Sequence, residues 1–264
     1  VVDILTTGAI VAGPIDSSGG AAAAFSGGHD AGAVTLDGSG VTLSDVTARG
    51  SAAAPSSGAA GGAGAGVDVR ANGATITLAG VLTSAGGAGD GGGAVGAGGT
   101  ITLADAVSLG GASELTTGAT GGDIRFDDTI DAASPFTETL DLTTGTGTID
   151  FSGAVGGSSP VGSVTIASAG TVNVDGAFRA ADLFANDGGA GATIDLFDAT
   201  GFTVDVTGAA GSAGGTIALD AISELRVGDL VADGGAALTG EAGNAGGTID
   251  LTLPAVGVLP IGGT

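Results

Sequence analysis

Gly247-Thr248-Ile249-Asp250-Leu251 is one of several close copies of a five-residue pattern in this chain. The pattern is a glycine, a polar residue, an aliphatic residue, a polar residue and an apolar residue. Such alternation predicts a short strand with one buried face. Its recurrence every few tens of residues predicts a solenoid. The copies begin at Gly99, Gly122, Gly147, Gly170, Gly191, Gly215 and Gly247.

The spacing of the copies gives the size of one coil. Successive openings differ by 23, 25, 23, 21, 24 and 32 residues, and two earlier units, from Gly32 and Gly66, are 34 and 33 residues long. Each early unit contains three short apolar runs, which indicates a three-sided coil. The longer units gain their length in Gly/Ala-rich loops just before the next glycine, and solenoids tolerate insertions there.

We therefore predict an all-β fold, a right-handed parallel β-helix, that is, a three-sided β-solenoid. It would have about ten coils of 21–25 residues, with Gly/Ala-rich loop insertions at one corner. Residues 1–264 would form a single β-solenoid domain, with an irregular first coil over 1–31 and regular coils over 32–264. Alignment of the units predicts two interior columns. One contains Ile101, Ile124, Ile149, Val172, Ile194, Ile217 and Ile249, and the other contains Leu103, Phe126, Phe151, Val174, Leu196, Leu219 and Leu251.

The composition excludes several classes of function. The formal net charge is −23, from 28 acidic and 5 basic residues. This argues against binding to nucleic acid and to anionic membrane surfaces, because both need Lys and Arg. The absence of Cys removes disulfides and thiol chemistry. No apolar run is long enough for a membrane span, and the start at Val1 without a signal peptide suggests a processed product or an excised segment.

Two neighbouring units carry a family resemblance. Asp123-Ile124-Arg125-Phe126 leads to Ser134-Pro135, and Thr148-Ile149-Asp150-Phe151 leads to Ser159-Pro160; each then runs into another alternating strand. This arrangement resembles the repeat region of giant exported bacterial adhesins of the filamentous-haemagglutinin-like kind. The resemblance implies a right-handed β-helical shaft of an exported, cell-surface protein.

The acidic residues give the first candidate sites. Asp37, Asp127, Asp175 and Asp220 follow the second inward residue, with Asp105 and Asp198 one place later, and we interpret them as corner residues that bond to nearby backbone. Asp127, Asp128 and Asp131 could chelate Ca²⁺ at one corner. Corner caps or a solvated surface explain them better, so we predict no metal site.

Other candidates are weaker still. Thr75/Thr77 and Thr100/Thr102 form T-x-T patterns that could build an ice-binding face, although the β-propensity of Thr explains them. His29 lies beside Asp30 in a glycine loop and is better interpreted as a solvated side chain than as a general base. Eight Phe are the only aromatic residues, which leaves little for the stacking that sugar-binding grooves use. We predict no catalytic residue, no cofactor and no enzymatic activity.

We expect a secreted or cell-surface bacterial protein that serves as a structural shaft segment of an adhesin or extracellular fibre. Neither terminus reads as a polar cap, so the coils could continue in a longer shaft or stack end to end with another copy. The partner would then be the chain itself, with a cell-surface or glycan ligand as a further possibility. A carbohydrate-binding or carbohydrate-active β-helix is the alternative.

Overall fold

The computed structural model describes residues 1–185 and 194–253. Within these residues the chain forms twenty strands and no helix, and every strand pairing is parallel, within one continuous sheet. The predicted all-β, parallel architecture is confirmed. The strands are β1 (Val2–Leu5), β2 (Ile10–Ala12), β3 (Ile15–Asp16), β4 (Val34–Asp37), β5 (Val41–Leu43), β6 (Val46–Thr47), β7 (Val67–Arg70), β8 (Ile76–Thr83), β9 (Ile101–Leu103), β10 (Val107–Thr116), β11 (Ile124–Phe126), β12 (Ile130–Ala132), β13 (Leu140–Thr143), β14 (Thr148–Phe151), β15 (Val161–Val174), β16 (Phe178–Ala185), β17 (Ile194–Asp205), β18 (Thr216–Asp220), β19 (Glu224–Val231) and β20 (Thr248–Thr252).

The strands stack in three ladders, which the chain visits in turn. Ladder A contains β1, β4, β7, β9, β11, β14, the end of β15, the start of β17 and the start of β19. Ladder B contains β2, β5, the starts of β8 and β10, β12, the bridge residue Val155, the start of β16 and the ends of β17 and β19. Ladder C contains β3, β6, the ends of β8 and β10, β13, the middle of β15, the end of β16, β18 and β20.

The interior is aliphatic because alternate residues of each strand point inward. In ladder A, Val34, Val67, Ile101, Ile124, Ile149 and Val172 pair in register and are all buried. This confirms the first predicted column as far as Val172. Leu103, Phe126, Phe151 and Val174 likewise stack in register, which confirms the second column over the same units.

Beyond Val172 the predicted columns do not continue on ladder A, although Ile217 stacks on Ile249 and Leu219 on Leu251 as predicted. Val172 pairs with Phe197, whereas Ile194 pairs with Ala169. Ile217 pairs with Leu183 and Ile249, and all three belong to ladder C. The physical reason is that the five-residue pattern requires only that one face of a strand be buried. A strand on any of the three ladders meets that requirement, so the pattern does not specify the ladder.

The Gly/Ala-rich insertions also differ from the prediction. Loops 17–33, 48–66 and 84–100 connect ladder C to ladder A, as a single-corner arrangement requires. Loops 206–215 and 232–247 instead connect ladder B to ladder C. The insertions therefore lie at two corners. The copies that begin at Gly215 and Gly247 begin ladder C strands, and Gly191 lies outside the described residues.

Loops 17–33, 48–66 and 84–100 pack on one another, and we call them the glycine bundle. Hydrogen bonds join neighbouring loops at every third residue: the N–H groups of Gly28 and Ala31 donate to the carbonyls of Ala60 and Ala63, both at 2.9 Å. Gly61 and Gly64 continue the series to Ala94 and Ala97, at 3.0 and 2.8 Å. A period of three without helix or strand is typical of polyproline II segments.

Glycine is required in this bundle because the backbones nearly touch. A Cβ atom on Gly62 would clash with the backbone of His29, and one on Gly61 would clash with Gly87. The abundance of glycine thus builds a second packed layer beside the aliphatic interior. It is not a sign of disorder.

Candidate functional site

The acidic corner residues bind backbone N–H groups, and many of them reach a neighbouring coil. Asp105 accepts from the N–H groups of Ala71, Asn72 and Gly73 at 2.7–3.0 Å, which lie about one coil earlier in the chain. Asp131 accepts from Ser158 and Ser159, at 2.8 and 2.9 Å. The predicted corner role of Asp105 is confirmed, but its partners are on the adjacent coil. The sequence did not indicate that these carboxylates cross-brace the stack.

The same bracing recurs along the molecule. A carboxylate oxygen accepts one or two N–H groups from an adjacent coil in these pairs: Asp30 to Ala63, Asp45 to Val81, Asp90 to Ser57 and Gly58, Asp123 to Thr148, and Asp182 to Thr216. Asp198 behaves as predicted from the sequence and accepts locally, from the N–H of Thr200 at 3.1 Å. Hydrogen bonds to charged groups are stronger than hydrogen bonds between neutral groups. The many acidic residues therefore contribute to the stability of the stacked coils.

Buried hydroxyl groups add to this bracing where ladder C turns into ladder A. Ser84, Thr117 and Thr144 are buried, and each donates to the carbonyl of a glycine, namely Gly99, Gly122 and Gly147. The donor–acceptor distances are 2.6, 2.8 and 3.0 Å. These three buried hydroxyls are therefore satisfied, as a protein interior requires.

The outward surface of ladder A carries a cluster of charges around Arg125. Arg125 lies 2.7 Å from Asp123 and is stacked directly on Asp150 in the strand register. Partial burial opposes ionisation of Asp123, but hydrogen bonds from Arg125 and from the Thr148 N–H outweigh it and lower the pKa of that carboxyl. Burial, with the nearby charge of Asp175, raises the pKa of Asp150. The pKa values of these two carboxyls, both beside Arg125, are thus shifted in opposite directions.

Two of the three candidate calcium ligands accept hydrogen bonds within the fold. Asp131 binds the two serine N–H groups described above, and Asp128 accepts from the adjacent Thr129 N–H at 2.7 Å. Over residues 1–185 and 194–253, no three His, Cys, Asp or Glu side chains converge in a group that could hold a metal ion.

The threonine patterns do not form a common face. Thr77 lies on ladder B and Thr102 lies on ladder A, so the two T-x-T motifs face outward on different sides of the coil. The interpretation of adjacent T-x-T units is therefore wrong. A column that the sequence did not reveal runs along ladder C, where Thr47, Thr83, Thr116 and Thr143 pair in register.

Four of the eight phenylalanine rings are interior. Phe126, Phe151, Phe178 and Phe197 are fully buried in the stack, as the predicted columns required for the first two. A shallow depression of about 280 Å³ beside Phe136 also contains Asp182 and Ser212. Arg179 covers the Phe136 ring, with its guanidinium carbon 5.8 Å from the ring centroid.

His29 contributes its backbone to the glycine bundle, where its N–H donates to the Ser51 hydroxyl at 2.8 Å, and its side chain is exposed.

The two ends of the stack expose strand edges and apolar side chains. At one end, β1 pairs only with β4 among the described residues, and Leu5 and Val11 are 76% and 82% exposed. At the other end, the outer edge of β19 has no partner strand in the described part of the chain. A depression of about 520 Å³ lies on that end, lined by Phe202, Arg226 and Gly228 with their neighbours.

No helix in the described residues is long and apolar enough to cross a membrane. Comparison with protein families, with curated proteins and with solved structures found no match to this chain.

Proposed function

We propose that the chain is a structural shaft segment of an exported adhesin or an extracellular, cell-surface fibre, built as a right-handed, three-sided β-helix. The observation that carries the proposal is ladder A, which runs in register from Val2 to Leu225. Within residues 1–185 and 194–253 each of the three ladders has nine rungs, which corresponds to nine coils and a length of about 43 Å at the usual strand spacing.

The polar chemistry of the chain supports a mechanical role. The acidic side chains at the corners bind backbone groups of neighbouring coils, and the buried hydroxyls bind glycine carbonyls. These groups are engaged in holding neighbouring coils together. A net charge of −23 would keep such a repetitive β protein soluble and discourage lateral association.

The first experiment measures shape. Small-angle scattering of residues 1–264 should give a compact, rigid particle about 43 Å long along the stack, and limited proteolysis should leave the ladders intact. An expanded, flexible particle would contradict the shaft. Immunogold labelling of intact cells should place the protein at the surface, and exclusively intracellular labelling would contradict the proposed location.

The carbohydrate alternative has the depression beside Phe136 as its candidate site. A glycan array together with a depolymerase assay separates it from the structural role. We expect no binding and no cleavage. Binding that is lost in the Phe136→Ala variant would favour the alternative.

A further inference from the structure

The two ends of ladder A are complementary in chemistry and in register. β1 presents Val2 and Ile4 toward the interior, with Asp3 and Leu5 outward. The start of β19 presents Leu225 and Val227 inward, with Arg226 and Gly228 outward. If a second copy continued the ladder by one step, Val2 and Ile4 would stack on Leu225 and Val227. Apolar residues would then lie on apolar residues, as they do at every rung within the chain.

The same step would pair opposite charges. Arg226 already lies 3.3 Å from Asp198, which is the residue beneath it in the same outward column. Asp3 of the added copy would occupy the corresponding position on the other side of Arg226. Asp3 is exposed and has no ion-pair partner among the described residues.

A shape match lies next to the charge pair. Leu5 is 76% exposed, and the register places it opposite Gly228. Gly228 lines the depression of about 520 Å³ together with Phe202, whose side chain is 37% exposed. Leu5 would therefore place its side chain in this recess at the corner of the coil. Phe202 and Val227 offer apolar contact there, beside polar side chains such as Thr200 and Thr203.

The same head-to-tail placement would also stack apolar residues on ladders B and C. On ladder B, Ile10 and Val11 would stack on Leu230 and Val231, which pairs an 82% exposed valine with another valine. On ladder C, Ile15 would stack on Leu251. Unpaired strand edges recruit further strands, and continuous hydrogen bonding with an apolar interior is what joins the coils already present.

We propose that a second copy of this chain adds head to tail, with β1 paired to β19, Asp3 beside Arg226 and Leu5 in the depression at Gly228. This rests on the proposed function, since it supplies the contact by which shaft segments would extend into a fibre. The surface formed by β1, β2 and β3 is one half of the contact, and the outer edges of β19 and β20 are the other half.

Cysteine cross-linking tests the register, because the chain contains no cysteine of its own. The single variants Val11→Cys and Val231→Cys are mixed and oxidised. Neighbouring strands are about 4.8 Å apart, which lies within the Cα–Cα range of a disulfide, so we expect disulfide-linked dimers of the two variants. Thr77→Cys is the control partner for Val11→Cys, because Thr77 lies in the same outward column but in mid-shaft.

Sedimentation tests the named contacts. The unaltered chain should self-associate with rising concentration, and Leu5→Ser or Asp3→Asn should weaken association at least tenfold. Val95→Ser is the apolar control, since Val95 is 47% exposed on loop 84–100 in mid-shaft, away from both halves of the contact. Asp141→Asn is the control for the charge, and both controls should associate like the unaltered chain.

Three outcomes would overturn the proposal. The first is a chain that stays monomeric at high concentration. The second is cross-linking of Val11→Cys to Thr77→Cys that is as efficient as cross-linking to Val231→Cys. The third is that Val11→Cys homodimers are the main product. A compact, rigid monomer in small-angle scattering would remove the stacking contact while leaving the shaft function in place. An expanded, flexible particle would remove the shaft function itself.

Discussion

The ring of Phe126 lies parallel to the ring of Phe151, with 5.3 Å between the centroids and 1° between the planes. The two residues pair in register on adjacent rungs of ladder A and both are fully buried. Stacked coils bring equivalent side chains together, so the interior is joined from coil to coil by ring contact as well as by backbone hydrogen bonds.

Truncation of either ring should strongly destabilise the chain. We expect Phe126→Ala and Phe151→Ala each to lower the free energy of unfolding by about 3–5 kcal/mol. The double variant should lose less than the sum, with a coupling of about 0.5–1.5 kcal/mol from the stacked pair. Urea denaturation measures all three. Phe25→Ala is the control, because Phe25 is 76% exposed, and a comparable loss there would contradict the assignment.

A disulfide can test the ladder that Ile217 joins. Phe184 and Ala218 pair on adjacent rungs of ladder C, so the double variant Phe184→Cys/Ala218→Cys should form a disulfide on oxidation. Asp195→Cys/Ala218→Cys should not, because the start of β17 lies on ladder A, although the aligned sequence units place these two positions on adjacent coils of one outward column. Mobility on non-reducing gels distinguishes the two. A disulfide in the second pair alone would restore the columns predicted from the sequence.

The glycine bundle predicts a sharp contrast between two glycines. Gly62→Ala should lower the free energy of unfolding by about 1–3 kcal/mol, because the added Cβ would clash with the backbone of His29. Gly20→Ala should be neutral or slightly stabilising, since nothing lies within 4 Å of its Cβ position. Thermal melts of both variants measure the difference. Equal tolerance at the two positions would mean that the loops are not packed.

The bracing by Asp105 can be measured by removing its carboxylate. Asp105→Ala leaves the N–H groups of Ala71, Asn72 and Gly73 without their acceptor, and we expect a loss of about 1–3 kcal/mol. Asp141→Ala, on an exposed strand position, should change the free energy of unfolding by less than about 0.5 kcal/mol. Urea midpoints at neutral pH give both values. Bracing by Asp105 would be refuted if the two losses were the same.

Asp150 and Asp123 should give opposite pH dependences. The pKa of Asp150 is raised by burial and by Asp175, so its charge costs stability at neutral pH, and Asp150→Asn should stabilise the chain there. That gain should disappear as the pH falls below the ordinary carboxyl pKa of 3.8.

The carboxyl of Asp123 has a lowered pKa, because the hydrogen bonds outweigh the burial that opposes them. Asp123→Asn should therefore destabilise the chain above pH 3.8, and the difference should be lost as the pH falls through the lowered pKa. Each effect should stay below about 1 kcal/mol, because these groups are mostly solvated. Thermal melts across the acid range measure both, and shifts of the same sign would contradict the assignment.

The sequence predicted much of the interior and little of its connections. Ile101, Ile124, Ile149 and Val172 could be placed in one column, because the coils between Gly99 and Gly170 are similar in length and carry the pattern in the same phase. Later, the Gly/Ala-rich loops move to the corner between ladders B and C, so the openings at Gly215 and Gly247 begin ladder C strands. Alignment of glycine openings cannot detect such a shift.

The bracing carboxylates were also predicted only in part, since the sequence indicated their corner positions but not their partners. The position of Asp105 after a strand indicated a corner, since aspartate tolerates turns and accepts local N–H groups. Its partners at Ala71–Gly73 belong to the preceding coil, and their position depends on how the coils stack. The complementarity of the two ends of ladder A could not be predicted from the sequence either, because Leu5 and Gly228 are 223 positions apart in the chain.

The sequence by itself determined that this chain forms short parallel strands with an aliphatic face, separated by glycine corners. That information is local, because alternation fixes which side chains can be buried and glycine fixes where backbones can turn or touch. Only the tertiary structure decided which ladder each strand joins, that Ile217 stacks on Leu183, and that the glycine loops form a packed layer. Those features depend on hydrogen bonds and contacts between distant segments, and many pairings satisfy the same local pattern.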